Sequence, residues 1–102
     1  MYLYNTTYKV SLSVIADFTI AIGDFIIGEK ELESHGVILY FYKIEGIEER
    51  DGMTFCLHYL IKDIETFNMF VIVIDSKFKN EIRNKFGEDV LFFSTLMKRQ
   101  KI

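Results

Sequence analysis

Residues 37–44 and 90–97 are apolar at almost every position, so a strand built from either stretch is hydrophobic on both of its faces. Val37, Leu39 and Phe41 alternate with Ile38, Tyr40, Tyr42 and Ile44 in the first, and Val90, Phe92 and Leu96 alternate with Leu91, Phe93 and Met97 in the second. An antiparallel sheet with one face in water shows polar residues on that face. Strands of this kind need cover on both sides. The chain has 102 residues, enough for one domain spanning 1–102, and carries 10 Phe and 6 Tyr. That is more apolar material than one small core consumes, so the second cover is expected from outside the chain.

The remaining elements follow from periodicity. Residues 2–10 alternate, with Tyr2, Tyr4, Tyr8 and Val10 on one face and Leu3, Asn5, Thr7 and Lys9 on the other. Residues 53–61 are a further β-branched and aromatic run. A charged stretch from Glu45 to Gly52 separates it from residues 37–44, so the two read as a hairpin. From Ser13 to Glu33 the polar or small positions Ser13, Asp17, Asp24, Gly28 and Glu31 fall at helical spacing. Ile15, Phe18, Ile22 and Ile26 line the opposite side. The β-branched run around Gly23-Asp24 offers a hairpin instead; helix is the preferred reading. From Ile64 to Phe86, apolar residues recur every three or four positions: Ile64, Phe67, Phe70 or Val71, Ile74, Phe78, Ile82 and Phe86. Asp63 is placed to cap this helix and Gly87 to end it in a left-handed conformation.

The order is β-α-β-β-α-β, the split pattern of ferredoxin-like α+β folds. There both helices pack on one face of a four-stranded antiparallel sheet and leave the other bare. A second copy of the chain is the expected cover, making a dimeric α/β barrel. Leu39, Phe41, Leu91 and Phe93 are assigned to the paired face. Met69, Ile72 and Val73 lie outside the main apolar stripe of the second helix and are assigned to a possible extra partner surface.

Composition narrows the function classes. With 12 basic and 15 acidic residues the net charge is −3, against the concentrated basic patch of a nucleic-acid binder. The one dense basic run, Lys98-Arg99-Gln100-Lys101, reads as a solvated tail. The longest apolar stretch, Val14 to Ile27, is interrupted by Asp17 and Asp24 and is short for a membrane span. The opening residues lack the features of a secretory signal, so the Asn5-Thr6-Thr7 glycosylation match reads as chance and a cytoplasmic setting is expected. Cys56 is the only cysteine, which excludes an intramolecular disulfide.

His58 is the first residue to ask about chemistry. It shares a strand face with Thr54, Cys56 and Leu60, and Asn5, Thr7 and Thr95 can join it from neighbouring strands. Asn5, Thr7, Cys56, His58 and Thr95 therefore form a candidate ligand pocket, with His58 a proton acceptor or hydrogen-bond donor near neutral pH. The plainer reading is a half-buried histidine satisfied by a neighbour. Cys56 and His58 supply two potential metal ligands without a third, so no metal is expected. Cys56 reads as a structural thiol. His35, beside Gly36, reads as a turn residue. The acidic group Glu45, Glu48, Glu49 and Asp51 fits no calcium loop. No phosphate loop, nucleophile elbow or zincin motif occurs, and no cofactor is expected.

Met1-Tyr2-Leu3-Tyr4-Asn5-Thr6-Thr7, Thr54-Phe55-Cys56-Leu57-His58-Tyr59, Ile64-Glu65-Thr66-Phe67, Lys85-Phe86-Gly87 and Phe93-Ser94-Thr95-Leu96 carry a resemblance to a family of short bacterial proteins, domain of unknown function 4286. It implies a ferredoxin-like fold related to the dimeric α/β-barrel group and no established activity. It is weakest over residues 13–36, where the family has a Trp-containing helix followed by His and Pro. Two functions stand. One is a non-enzymatic homodimeric module that binds a small molecule or another protein. The other is a small cofactor-independent enzyme with its pocket near His58.

Overall fold

The structure, a computed structural model, describes residues 1–46 and 50–102. Glu48 and Glu49 of the acidic loop lie outside the described residues. Strand β1 (Tyr2–Ser11) leads through a 3₁₀ turn into helix α1 (Ile15–Gly28), and a second 3₁₀ segment (Lys30–His35) precedes β2 (Val37–Lys43). Strand β3 (Gly52–Ile61) follows. A short α2 (Ile64–Thr66), a π-helical turn (Phe67–Val71) and α3 (Ile72–Phe86) then run on to β4 (Val90–Lys98). The sheet order is β2-β3-β1-β4, all antiparallel, which is the ferredoxin-like arrangement. The chain measures 39 × 31 × 19 Å, its short axis matching two layers.

Residues 15–28 form a helix rather than a hairpin because Phe18 and Ile22, one turn apart, both reach the core. Phe18 is its hub: its ring lies 5.2 Å from Tyr8, 5.8 Å from Phe55, 6.2 Å from Phe86 and 6.4 Å from Phe41. Phe78 of α3 reaches the same Tyr8 at 6.4 Å, so both long helices cover one face of the sheet.

The second helix is capped by Asp63, whose carboxylate accepts the Thr66 N–H at 2.8 Å. Its periodicity differs from the sequence expectation. The π turn inserts one residue and rotates the segment before it by about a third of a turn. Ile64 is therefore exposed, and the buried stripe runs Phe67, Val71, Asp75, Phe78, Ile82 and Phe86, with Asp75 in place of Ile74. Gly87 ends the helix with φ 55°, as expected, but its ψ of −131° lies outside the left-handed helical region. Gly52, opposite Ser11, is required at the start of β3: a Cβ there would stand 2.0 Å from the Val10 carbonyl oxygen.

One assignment needs correction. Leu39 and Phe41 do not share a face with Leu91 and Phe93. They lie on the helix-covered side, packed against the core, and the Phe41 ring stacks on Phe55 at 5.2 Å. Their partners Tyr59 and Leu57 are both buried there, which fixes their side. The residues of β2 on the open side are Ile38, Tyr40 and Tyr42.

Candidate functional site

The open face of the sheet can be read as four rows running across the strands. Ile38, Leu60, Leu3 and Met97 form the first; Tyr40, His58, Asn5 and Thr95 the second. Tyr42, Cys56, Thr7 and Phe93 form the third, and Thr54, Lys9 and Leu91 the fourth. The five residues nominated from sequence, Asn5, Thr7, Cys56, His58 and Thr95, therefore do stand together, in the two middle rows. Lys9 is the sole formal charge in this set. Leu91 and Phe93 are 57 % and 65 % exposed, and Tyr42 is half exposed.

The polar contacts in the middle rows are short-range. Asn5 Nδ2 donates to Thr7 Oγ1 at 3.1 Å, and Thr7 Oγ1 lies 3.7 Å from Cys56 Sγ. Asn5 Oδ1 is buried and has no hydrogen-bond partner among the described residues. The His58 ring lies 5.2 Å from that of Tyr42, tilted by 58°. Cys56 and His58, two residues apart on a strand, have backbones separated by roughly 7 Å, a poor geometry for a thiol–imidazole pair. These rows carry hydrogen-bonding side chains, and the Cys56 thiol has Thr7 as its polar neighbour. Among the described residues, no group of three or more His, Cys, Asp or Glu is placed to hold a metal ion.

The other nominated surface divides. Met69 and Val73 are 67 % and 62 % exposed, whereas Ile72 is half-buried against the core. Phe70, half-buried against the core, stacks on His35 at 4.5 Å, and His35 closes the 3₁₀ segment ahead of Gly36.

Under the helices lies a polar cluster that the sequence reading missed. Asp75 is fully buried; Tyr59 donates to its Oδ1 at 2.7 Å, and Lys79 pairs with Oδ2 at 2.5 Å. Lys79 Nζ also donates to Tyr4 OH at 2.8 Å and Ser94 Oγ at 2.5 Å, and Ser94 Oγ lies 2.7 Å from Thr6 Oγ1. Lys79 Nζ is thus held by two hydrogen bonds and one ion pair within the cluster. Burial and then the Asp75 charge push the Tyr59 and Tyr8 hydroxyls well above the usual tyrosine range. The available signal was Lys79 four residues after Asp75, an ion-pair spacing inside an apolar stripe.

No helix among the described residues is long and apolar enough to cross a membrane. A comparison with curated protein sequences gives no match. Among solved structures, the chain is similar to a dimeric ferredoxin-like protein from an uncultured marine organism. The two share 14 % identity at a TM-score of 0.67, over 99 % of this chain and 97 % of that one. It is also similar to the de novo designed protein Foldit4, with 12 % identity, a TM-score of 0.65, and 97 % and 98 % of the two chains covered. At such identities the likeness is one of fold. The family model described as Domain of unknown function (DUF4286) matches residues 1–100, and the chain belongs to that family.

Proposed function

We propose that residues 1–102 act as one non-enzymatic module that pairs with a second copy of itself through the open sheet face. The polar middle rows between the two sheets would receive a small ligand or a contact from a protein partner. The observation that carries this reading is the composition of the four rows: one charge, with Ile38, Tyr40, Tyr42, Leu91, Phe93 and Met97 all exposed. Soluble chains rarely leave this many large apolar side chains exposed on one sheet face. Four strands spaced about 4.8 Å apart and roughly 30 Å long cover on the order of 600 Å² in projection. With side-chain relief that approaches the ~800 Å² per partner of a stable interface.

Two further observations support it. The unpartnered Asn5 Oδ1 is an acceptor suited to a donor from a partner or ligand. The ferredoxin-like structure similar in fold is dimeric. A reducing, cytoplasmic setting belongs to the same reading, with Cys56 kept as a thiol beside Thr7. Met69 and Val73 offer a second, smaller contact surface for a protein partner.

The test is a pair of variants measured by sedimentation velocity, with circular dichroism confirming the fold. Phe93→Asp places a charge in the apolar face and should give a folded monomer; His58→Ala should remain paired. A folded Phe93→Asp chain that still pairs would place the interface elsewhere. The enzymatic alternative is favoured by one contact, the Tyr42 ring against His58. It requires that a small aromatic carbonyl compound such as phenylpyruvate saturably shift the His58 ring resonances. No saturable shift would remove it.

A further inference from the structure

Strand β4 forms one edge of the sheet and runs nine residues without a bulge, each residue opposite one of β1. From Val90 to Met97 it carries no charge, and the chain has no proline. Charges, prolines, bulges and short strands keep an exposed edge from pairing with another chain. This edge has none of them before Lys98.

Its hydrogen-bonding phase is fixed by the Arg99 N–H, which donates to the Met1 carbonyl at 2.9 Å. Bonded and non-bonded pairs alternate along an antiparallel ladder. The odd residues from Leu91 to Met97 therefore direct their main-chain groups to β1, and the even ones from Val90 to Lys98 turn theirs outward. Among the described residues, the outward N–H groups of Phe92, Ser94 and Leu96 meet no partner. The Lys98 carbonyl holds Gln100 Nε2 of its own tail, at 3.2 Å.

Charge decides what fits this edge. Glu88 and Asp89 precede the strand, Lys98, Arg99 and Lys101 close it, and all are exposed. Among the described residues neither Asp89 nor Arg99 has an ion-pair partner. A strand laid antiparallel along β4 must be acidic beside its basic end and basic beside its acidic end. Another β4 meets that requirement. With Ser94 opposite the partner's Ser94, even residues face even residues, Phe92 opposite Leu96 and Val90 opposite Lys98, so the outward groups are matched. The same register sets Leu91 opposite Met97 and brings Arg99 beside the partner's Asp89.

We infer that β4 pairs edge to edge with β4 of a second copy, antiparallel about a two-fold axis at Ser94. That axis stands perpendicular to the sheet, so the open faces stay uncovered, and the inference does not rest on their pairing. One strand edge buries less than a sheet face, and a hydrogen bond exchanged for water contributes little. The edge contact is therefore the weaker of the two, with a Kd of about 1 mM.

The experiment is amide–water exchange in the full chain, read by NMR at about 0.05 mM and about 2 mM protein. The amides of Phe92, Ser94 and Leu96 should exchange roughly two- to threefold more slowly at the higher concentration, the change that this Kd gives. Those of Leu91, Phe93 and Thr95, bonded to β1, serve as the reference. Leu96→Pro removes one outward N–H without touching the β1 ladder, so it should abolish the slowing at Phe92 with the circular dichroism unchanged. Arg99→Glu should abolish it as well, and adding Asp89→Lys should restore it. Exchange that ignores concentration would overturn the proposal. So would slowing that survives Leu96→Pro, or an Arg99→Glu loss that Asp89→Lys does not rescue. Light scattering at micromolar concentration separates the two contacts. A doubled mass without slowing at these amides removes the edge contact alone, and a single-chain mass with slowing removes the face pairing alone.

Discussion

A carboxylate with no exposed surface needs partners for both oxygens, and Asp75 finds them in Tyr59 and Lys79. Removing it strands two donors at once. Asp75→Ala should therefore cost about 3 kcal/mol in urea denaturation, near the low end for breaking a buried pair because Lys79 keeps some access to water. The same cluster sets an alkaline limit. Below the ordinary tyrosine value of 10.0, Tyr59 is neutral in both folded and unfolded chains, and its contribution to stability is intact. Above that value the unfolded chain releases the proton while the folded chain, with its raised pKa, retains it, so stability falls as pH rises. Tyr59→Phe should flatten that alkaline decline in melts taken on either side of pH 10, at about 1–2 kcal/mol of stability near neutrality for the lost hydrogen bond. An undiminished decline would assign it to other groups. Asp75 was not legible from periodicity because Ile74 beside it satisfies the same three-and-four spacing.

At the scale of the element, strands and helices were largely legible because their periods differ. Tyr2, Tyr4, Tyr8 and Val10 alternate, and Phe78, Ile82 and Phe86 step by four. The face of β2 was not legible. With Val37, Leu39 and Phe41 as apolar as Ile38, Tyr40 and Tyr42, alternation gives two faces but no sign. A strand turned by one residue would look the same. Only pairing fixed it, through Tyr40 opposite His58 and His58 opposite Asn5. That pairing also joined the middle-row residues, which sequence could nominate but not assemble. The π turn was hidden for a related reason: one inserted residue changes phase without leaving a composition signal. The Asp63 cap was legible, and its consequence is checkable. Hydrogen bonds from Thr66, its hydroxyl first and its backbone N–H second, hold the Asp63 carboxyl below the usual range. The stability this adds is present above the unfolded value of about 3.9 and is lost as pH falls through the lower folded value. Asp63→Ala should lower the melting temperature at pH 7 and have little effect near pH 2; an equal effect at both would exclude charge-dependent capping.

At the scale of the whole molecule, a sheet covered by helices on one side leaves the rows from Ile38 to Leu91 without cover in the single chain. One layer arrangement can serve many functions, so the fold alone does not specify what the open face is for. Here the specification lies in the side chains: an apolar first row, large apolar residues along the edge strands β2 and β4, polar residues on the central strands, and one lysine. The face pairing proposed above would set this face against its own copy. Light scattering on the unaltered chain, across a dilution series at neutral pH, tests this most directly. Pairing predicts a mass twice that of the 12.0 kDa chain over the upper part of the series. A mass of one chain at every concentration would contradict it.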